Sequence, residues 1–188
     1  FAYDAKVGPN GELDKLKARL VFIGAAQGPG SYAEVFANTV QYASVRAILA
    51  IAAHRDWELF NVDIKGAFLA AKLDRALYMS EIPGRETRDG DGRTGGWVLL
   101  LKRALYGAKQ SAYLWRKRLH EWLVGYGFEQ ATYDECVYIL RTDGAEMHMG
   151  VFVDDLIASS SSSDETPADQ SLLNLSMSDA ELARHRSA

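Results

Sequence analysis

The stretch that decides how this chain folds is Gly150-Val151-Phe152-Val153-Asp154-Asp155-Leu156-Ile157. Two adjacent carboxylates interrupt an apolar run of strand length. Charge inside such a run is costly unless something pairs with it, so the simplest placement is a hairpin, Met147–Val153 and Leu156–Ala158, with the Asp pair at its tip. Ninety residues earlier, Leu59-Phe60-Asn61-Val62-Asp63-Ile64 carries another carboxylate to the end of a strand predicted over 57–64. Three carboxylates at the ends of buried strands are what a pair of divalent metals needs, and two such metals are a standard device for phosphoryl transfer. Taken alone, Asp154-Asp155 also fits a plain hairpin turn, where Asp is at home without any ligand.

Working outward, apolar positions Val45, Ile48, Leu49 and Ala52 recur at helical spacing and predict a helix over 41–54. A second helix is predicted from Ser111 to Val124, with Trp115, Leu119 and Trp122 on one stripe and Gly125 and Gly127 ending it. That stripe reads as core. Strands are expected over 16–23, 77–79, 97–101 and 136–140, with a turn at Gly8-Pro9-Asn10-Gly11 and an exposed loop from Arg85 to Gly96. Ser159 to Ser163 and the residues after it read as a disordered tail over 161–188. The fold class is α+β, one domain over 1–160.

The 188 residues suffice for one ordinary core, and 48% hydrophobic with 24% charged residues is a globular composition. A net charge of −4 does not advertise nucleic-acid binding, although a local basic stripe can coexist with it. The best apolar stretch, Val45 to Ala53, is short and contains Arg46, so no membrane span is expected. Cys136 is the single cysteine and reads as a small core residue. The histidines lack metal-ligand spacing with it. The Gly24 to Ser31 loop lacks the Gly-Lys-Ser/Thr ending of a phosphate-binding P-loop. Beginning at Phe1, the chain reads as a piece of something longer.

The ordered segments resemble the reverse transcriptase domain of copia-type retrotransposon polyproteins. The resemblance covers about residues 1–158 and rests on Lys17-Ala18-Arg19-Leu20-Val21, Ser31-Tyr32-Ala33-Glu34-Val35-Phe36-Ala37 and Val62-Asp63-Ile64-Lys65-Gly66-Ala67-Phe68-Leu69. It continues through Tyr78-Met79, Pro83-Gly84, Lys102-Arg103-Ala104-Leu105-Tyr106-Gly107-Ala108-Lys109-Gln110, Trp115, Gly127-Phe128, Asp134 and Phe152-Val153-Asp154-Asp155. Such a resemblance implies an antiparallel palm sheet with helices on one face and a partial fingers lobe, the thumb missing. Thumb, ribonuclease H and integrase would come from the longer polyprotein.

The same resemblance implies roles. Asp63 and Asp154 would bridge two Mg²⁺ ions (Mn²⁺ as substitute), with Asp155 supporting and Ile64 contributing its backbone carbonyl. Lys17 and Arg19, two apart and therefore on one face of a strand, would clamp the triphosphate; without the family they read as an exposed edge pair. Phe68 would be the steric gate against a 2′-hydroxyl, or else ordinary core. Gly107 would let backbone approach the new base pair, and Lys109 and Gln110 would meet phosphate near a helix N-terminus. Lys102, Arg103, Arg116 and Lys117, with Arg118, form the candidate nucleic-acid track; for the helix residues a solvated face is an equal reading.

The function implied is RNA-directed DNA synthesis by nucleotidyl transfer, on an RNA or DNA template with primer and deoxynucleoside triphosphates. Its setting would be a cytoplasmic retrotransposon particle with a nuclear product. The rival expectations are an inactive or co-opted fragment that at most binds nucleic acid, and a metal-dependent phosphohydrolase built on the same carboxylates.

Overall fold

The computed structural model describes residues 1–86, 88, 91, 92 and 96–161. Ser159 and Ser160, read as the start of the disordered serine tract, are instead buried strand residues, because they pair with Leu59 and Glu58. The rest of that tail, apart from Ser161, and part of the expected loop from Arg85 to Gly96 lie outside the described residues.

The centre is a five-stranded antiparallel sheet of β3 (Glu58–Asp63), β6 (Glu129–Gln130), β7 (Val137–Thr142), β8 (Ala145–Phe152) and β9 (Asp155–Ser160), in the order β3-β9-β8-β7-β6. Two antiparallel pairs stand outside it: β1 (Ala2–Val7) with β2 (Leu13–Arg19), and β4 (Tyr78–Ser80) with β5 (Val98–Leu100). The helices are α1 (Tyr42–Arg55), the short α2 (Ala67–Ala70) and α3 (Ser111–Tyr126). Both long helices and the terminal hairpin thus form where apolar spacing places them. The strand expected over 16–23 begins and ends earlier, and a single 3-10 turn at Gly24–Ala26 follows it.

Strand register shows how the layers stack. Gly150 pairs with Val137 on one side and Ile157 on the other, and these three share a face. A methyl group at Gly150 would lie 3.2 Å from Val40 and 3.3 Å from Ile48 of α1, so α1 packs on that face. Tyr138 pairs with Met149, and Met149 with Ala158, on the opposite face. There the Tyr138 hydroxyl lies 3.0 Å from His120 Nδ1 of α3, and Leu140 lies against the Gly127 cap of that helix. The expectation of helices on one face is therefore corrected: α1 and α3 cover opposite faces. The reason is visible in β8, where Met147, His148, Met149, Gly150 and Val151 are all buried. A strand buried at consecutive positions needs cover on both sides.

Trp115, Leu119 and Leu123 of α3 and Ile48 of α1 are all fully buried against the sheet, each contributing about 1.5–3 kcal/mol. Of the stripe read as core, Trp115 and Leu119 are core, whereas Trp122 is half-buried and packs at its edge, stacked on Tyr126. Among the described residues no helix is long and apolar enough to cross a membrane.

The start of α1 is held from a distance. Gln41 provides no side-chain cap. Instead one Asp134 oxygen accepts from the Gln41 N–H at 2.9 Å and the Ser44 hydroxyl at 2.7 Å, while the other accepts from the Cys136 N–H at 2.9 Å. Asp134 thus ties the helix N-terminus to the entry of β7. Burial opposes its charge, but the three hydrogen bonds and the Arg116 guanidinium outweigh burial and hold the carboxyl below its ordinary value of 3.8.

A depressed folded-state value makes the Asp134 contribution complete above the ordinary carboxylate range and lost as pH falls through the lower folded value. Asp134→Ala is expected to cost about 2–4 kcal/mol, because it strands two buried donors and removes the helix cap. Urea midpoints at pH 6 and pH 3 check both points: the wild-type chain should lose stability toward pH 3, and the variant should lose less.

Candidate active site: the carboxylate end of the sheet

Asp63, the last residue of β3, is the register partner of Asp155, the first residue of β9. Asp155 is in turn paired with Phe152 across the hairpin. One row of the ladder therefore reads Asp63, Asp155, Phe152, with all three exposed. Asp154 sits in the two-residue turn with Val153, and its carbonyl accepts from the Ile64 N–H at 2.9 Å. That bond carries the ladder one step past Asp63. The ends of both strands are fixed to each other by backbone, while the carboxylates project beyond the core formed by Val62, Ile64, Val151 and Leu156.

The hairpin tip is anchored from the helix layer. The Trp115 indole N–H donates to the Val153 carbonyl. Val153 has φ near +24°, a region that a β-branched residue avoids. The buried indole clamps the turn in that shape and so determines where Asp154 stands.

None of the three carboxylates has a hydrogen-bond or ion-pair partner among the described residues. Nor do the described residues contain a ready-made group of three or more His, Cys, Asp or Glu side chains for a metal. The structure thus brings the carboxylates to one end of the sheet without assembling them, among the described residues, into a metal cage. Mg²⁺ is characteristically held by one or two carboxylates plus substrate phosphates rather than by an all-protein cage. The donor set is all oxygen, which suits Mg²⁺ or Mn²⁺.

Tyr106 connects this end of the sheet to the segments upstream. Burial raises its phenol above the ordinary value of 10.0; the charge of Asp154 raises it further, Arg19 pulls it back, and Asp63 adds to the rise. Arg19 and two of the carboxylates thus act on one phenol. Lys17 shares the face of Arg19 on β2, and both are half-buried. Phe68, on α2 five residues after Asp63, packs its ring edge-to-face on Tyr106 with centroids 4.9 Å apart. The sequence gives Tyr106 no separate role; its only signal is its place beside Gly107.

Other candidate residues have intramolecular work. Gly107 has φ near +86°, and a Cβ there would collide with the Phe22 carbonyl. The Phe22 N–H donates to the Tyr106 carbonyl at 2.7 Å, so the tight approach at Gly107 is to this chain's own backbone. Gln110 is fully buried, accepting from the Gln27 amide at 2.9 Å and donating to the Ser31 carbonyl at 3.2 Å. The Lys109 amine reaches the Gln27 carbonyl and the Tyr32 hydroxyl, each at 3.3 Å, and lies over the Tyr32 ring. A phosphate contact from Lys109 would have to compete with these bonds. In the basic stretch, Arg116 pairs with Glu135 at 2.8 Å and Arg103 donates to the Ala70 carbonyl at 3.0 Å, whereas Lys102 and Lys117 are exposed. Residues 102–118 are therefore not a continuous free basic track.

The reverse transcriptase (RNA-dependent DNA polymerase) family profile matches residues 2–178. The chain belongs to that family, in its copia-type branch. It is 34% identical over 177 residues to the retrovirus-related Pol polyprotein from transposon RE1 of Arabidopsis thaliana, which covers 94% of this chain and 12% of the relative. It is 33% identical over 158 residues to the RE2 polyprotein of the same plant, covering 84% of this chain and 11% of the relative. It is 31% identical over 148 residues to the TNT 1-94 polyprotein of Nicotiana tabacum, covering 78% and 11%. The chain thus spans about a ninth of the length of these relatives. No solved structure gives a significant match. The family match runs past Ala158, where the motif resemblance ends.

Trp115→Phe keeps most of the buried ring but deletes the donor to Val153. It is expected to cost about 1–3 kcal/mol, the range for an orphaned buried acceptor plus lost packing. A urea titration gives the cost, and faster amide exchange at residues 152–155 would locate it at the tip.

Proposed function

We propose that this chain is the catalytic part of an RNA-directed DNA polymerase, adding deoxynucleotides to a primer on an RNA or DNA template. The observation that carries the reading is the row Asp63–Asp155–Phe152 with Asp154 in the adjoining turn. It supplies carboxylates on ends of neighbouring strands that have no partner among the described residues, which is what this chemistry requires from a protein. In this reading the five-stranded sheet with α1 and α3 is the palm. The β1–β2 hairpin and the segment through Gly24 belong to a fingers lobe.

Asp63, Asp154 and Asp155, with the Ile64 carbonyl, would hold divalent magnesium or manganese. Two such ions, when bound, activate the primer 3′-hydroxyl and neutralise charge on the reacting and leaving phosphates. The protein's own part is positional. The β3–β9 ladder holds the carboxylates at a fixed separation, and the Trp115 clamp keeps the turn from drifting. Arg19 offers the planar fork that suits triphosphate oxygens, with Lys17 on the same face. Phe68 would lie under the sugar and exclude a 2′-hydroxyl.

Template, primer and deoxynucleoside triphosphates are the partners of this reading, and the remaining polyprotein domains would supply thumb, ribonuclease H and integrase functions. Its setting would be a cytoplasmic particle whose product enters the nucleus.

Primer extension on poly(rA)–oligo(dT) with Mg²⁺ or Mn²⁺ tests the proposal. The wild-type chain should extend, and Asp154→Asn should lose at least about a hundredfold of that rate, as expected when charge stabilisation of the transition state is removed. No extension by a chain shown to be folded would reject polymerase activity for this chain and favour the inactive-fragment reading. Phosphate release without template would favour a phosphohydrolase.

A further inference from the structure

We propose that Tyr106 is the positioning residue for the Phe68 ring and so sets how strictly the site rejects a ribose 2′-hydroxyl, an inference that rests on the polymerase reading above. The two rings meet edge-to-face, with centroids 4.9 Å apart and planes at 69°. They stand on different segments.

Phe68 stands on α2, a helix of four residues preceded by Gly66 with φ near +69° and without a side-chain cap. Its ring is half-buried, as that of Tyr106 is, and packs at the edge of the core. One turn of helix does little to fix a side chain by itself, because the hydrogen-bonded ladder that stiffens a long helix is missing.

Tyr106 has a rigid base. Its carbonyl accepts from the Phe22 N–H, its neighbours Ala104 and Leu105 are buried, and Gly107 is locked against the Phe22 backbone. The Ala104 N–H donates to the Ala71 carbonyl at 2.9 Å, so the two segments are joined by backbone just below the rings. The contact with Tyr106 therefore closes one of the directions in which the Phe68 ring could turn. The Tyr106 hydroxyl has no hydrogen-bond partner among the described residues, so the brace is the ring itself. A gate discriminates only if its ring cannot swing away when a 2′-hydroxyl presses on it. Removing the brace lowers the cost of that swing.

The test is nucleotide affinity without chemistry, using the whole chain on a primer–template ended with a dideoxynucleotide opposite thymine. Dissociation constants for dATP and ATP are measured for wild type, Phe68→Ala, Tyr106→Leu and Tyr106→Phe, with thermal midpoints recorded alongside. Phe68→Ala should abolish the preference for dATP. Tyr106→Leu should reduce it about three- to tenfold, the range an edge-to-face aromatic contact can supply, chiefly through tighter ATP binding and without a matching drop in midpoint. Tyr106→Phe should keep it. A full preference in Tyr106→Leu, with the preference lost in Phe68→Ala, would overturn the role of Tyr106 and leave the gate standing. Equal losses in Tyr106→Leu and Tyr106→Phe would also overturn it, because the hydroxyl would then be responsible. A preference that survives Phe68→Ala, or no nucleotide binding at all, would remove the gate or polymerase reading itself and the proposal with it.

Discussion

The register between β3 and β9 is the constraint on which the rest of the carboxylate end depends. Side chains alternate along a strand, so a slip of one residue would carry Asp63 to the face that holds Val62 and bring Val62 out to solvent. A carboxylate driven among Val151, Leu156 and Ala158 would lose its hydration with no partner to replace it. The hydrophobic pattern of β3 and β9 thus enforces the pairing of Asp63 with Asp155 more firmly than any interaction between the acids themselves, which repel. The chain keeps like charges together because its apolar residues allow no other alignment.

The tip depends on a second layer. A hairpin turn through Val153 and Asp154 has no glycine to relax it, and Val153 takes a backbone angle that valine avoids. The indole of Trp115, buried in α3, holds the turn by its carbonyl. One helix residue therefore serves both the core and the half-buried carboxylate of Asp154 beside the turn. On the other face, α1 is seated by Asp134, an acid that has nothing to do with the cluster at the tip. The two acidic groups have opposite fates: Asp134 is buried and accepts three hydrogen bonds, whereas the carboxylates of the ladder have no partner among the described residues.

The segments upstream of the sheet are joined to it by polar contacts rather than by a second core. Gly24 and Gly107 pass close enough that neither tolerates a side chain, and the amides of Gln27 and Gln110 meet in a buried bond. This junction carries Tyr106 to the carboxylate end, within electrostatic reach of Arg19, Asp63 and Asp154. The β1–β2 hairpin extends beyond it with Tyr3 and Leu16 exposed.

The sequence by itself determined most of the elements and singled out the candidate carboxylates. Helical spacing marked α1 and α3, and charge inside an apolar run could only mark a hairpin tip, because periodicity and desolvation are local properties of a chain. It also carried the family, through the order of its motifs. Only the tertiary structure decided what depends on residues far apart in sequence. It set Asp155, rather than Asp154, opposite Asp63. It put α1 and α3 on opposite faces, since consecutive buried residues in β8 say that cover is needed but not where it comes from. It turned Gln110 inward and gave Gly107 its neighbour in Phe22, and it stood Tyr106 against Phe68. A side chain's partner is fixed by packing across the whole fold, and no window of sequence contains that information.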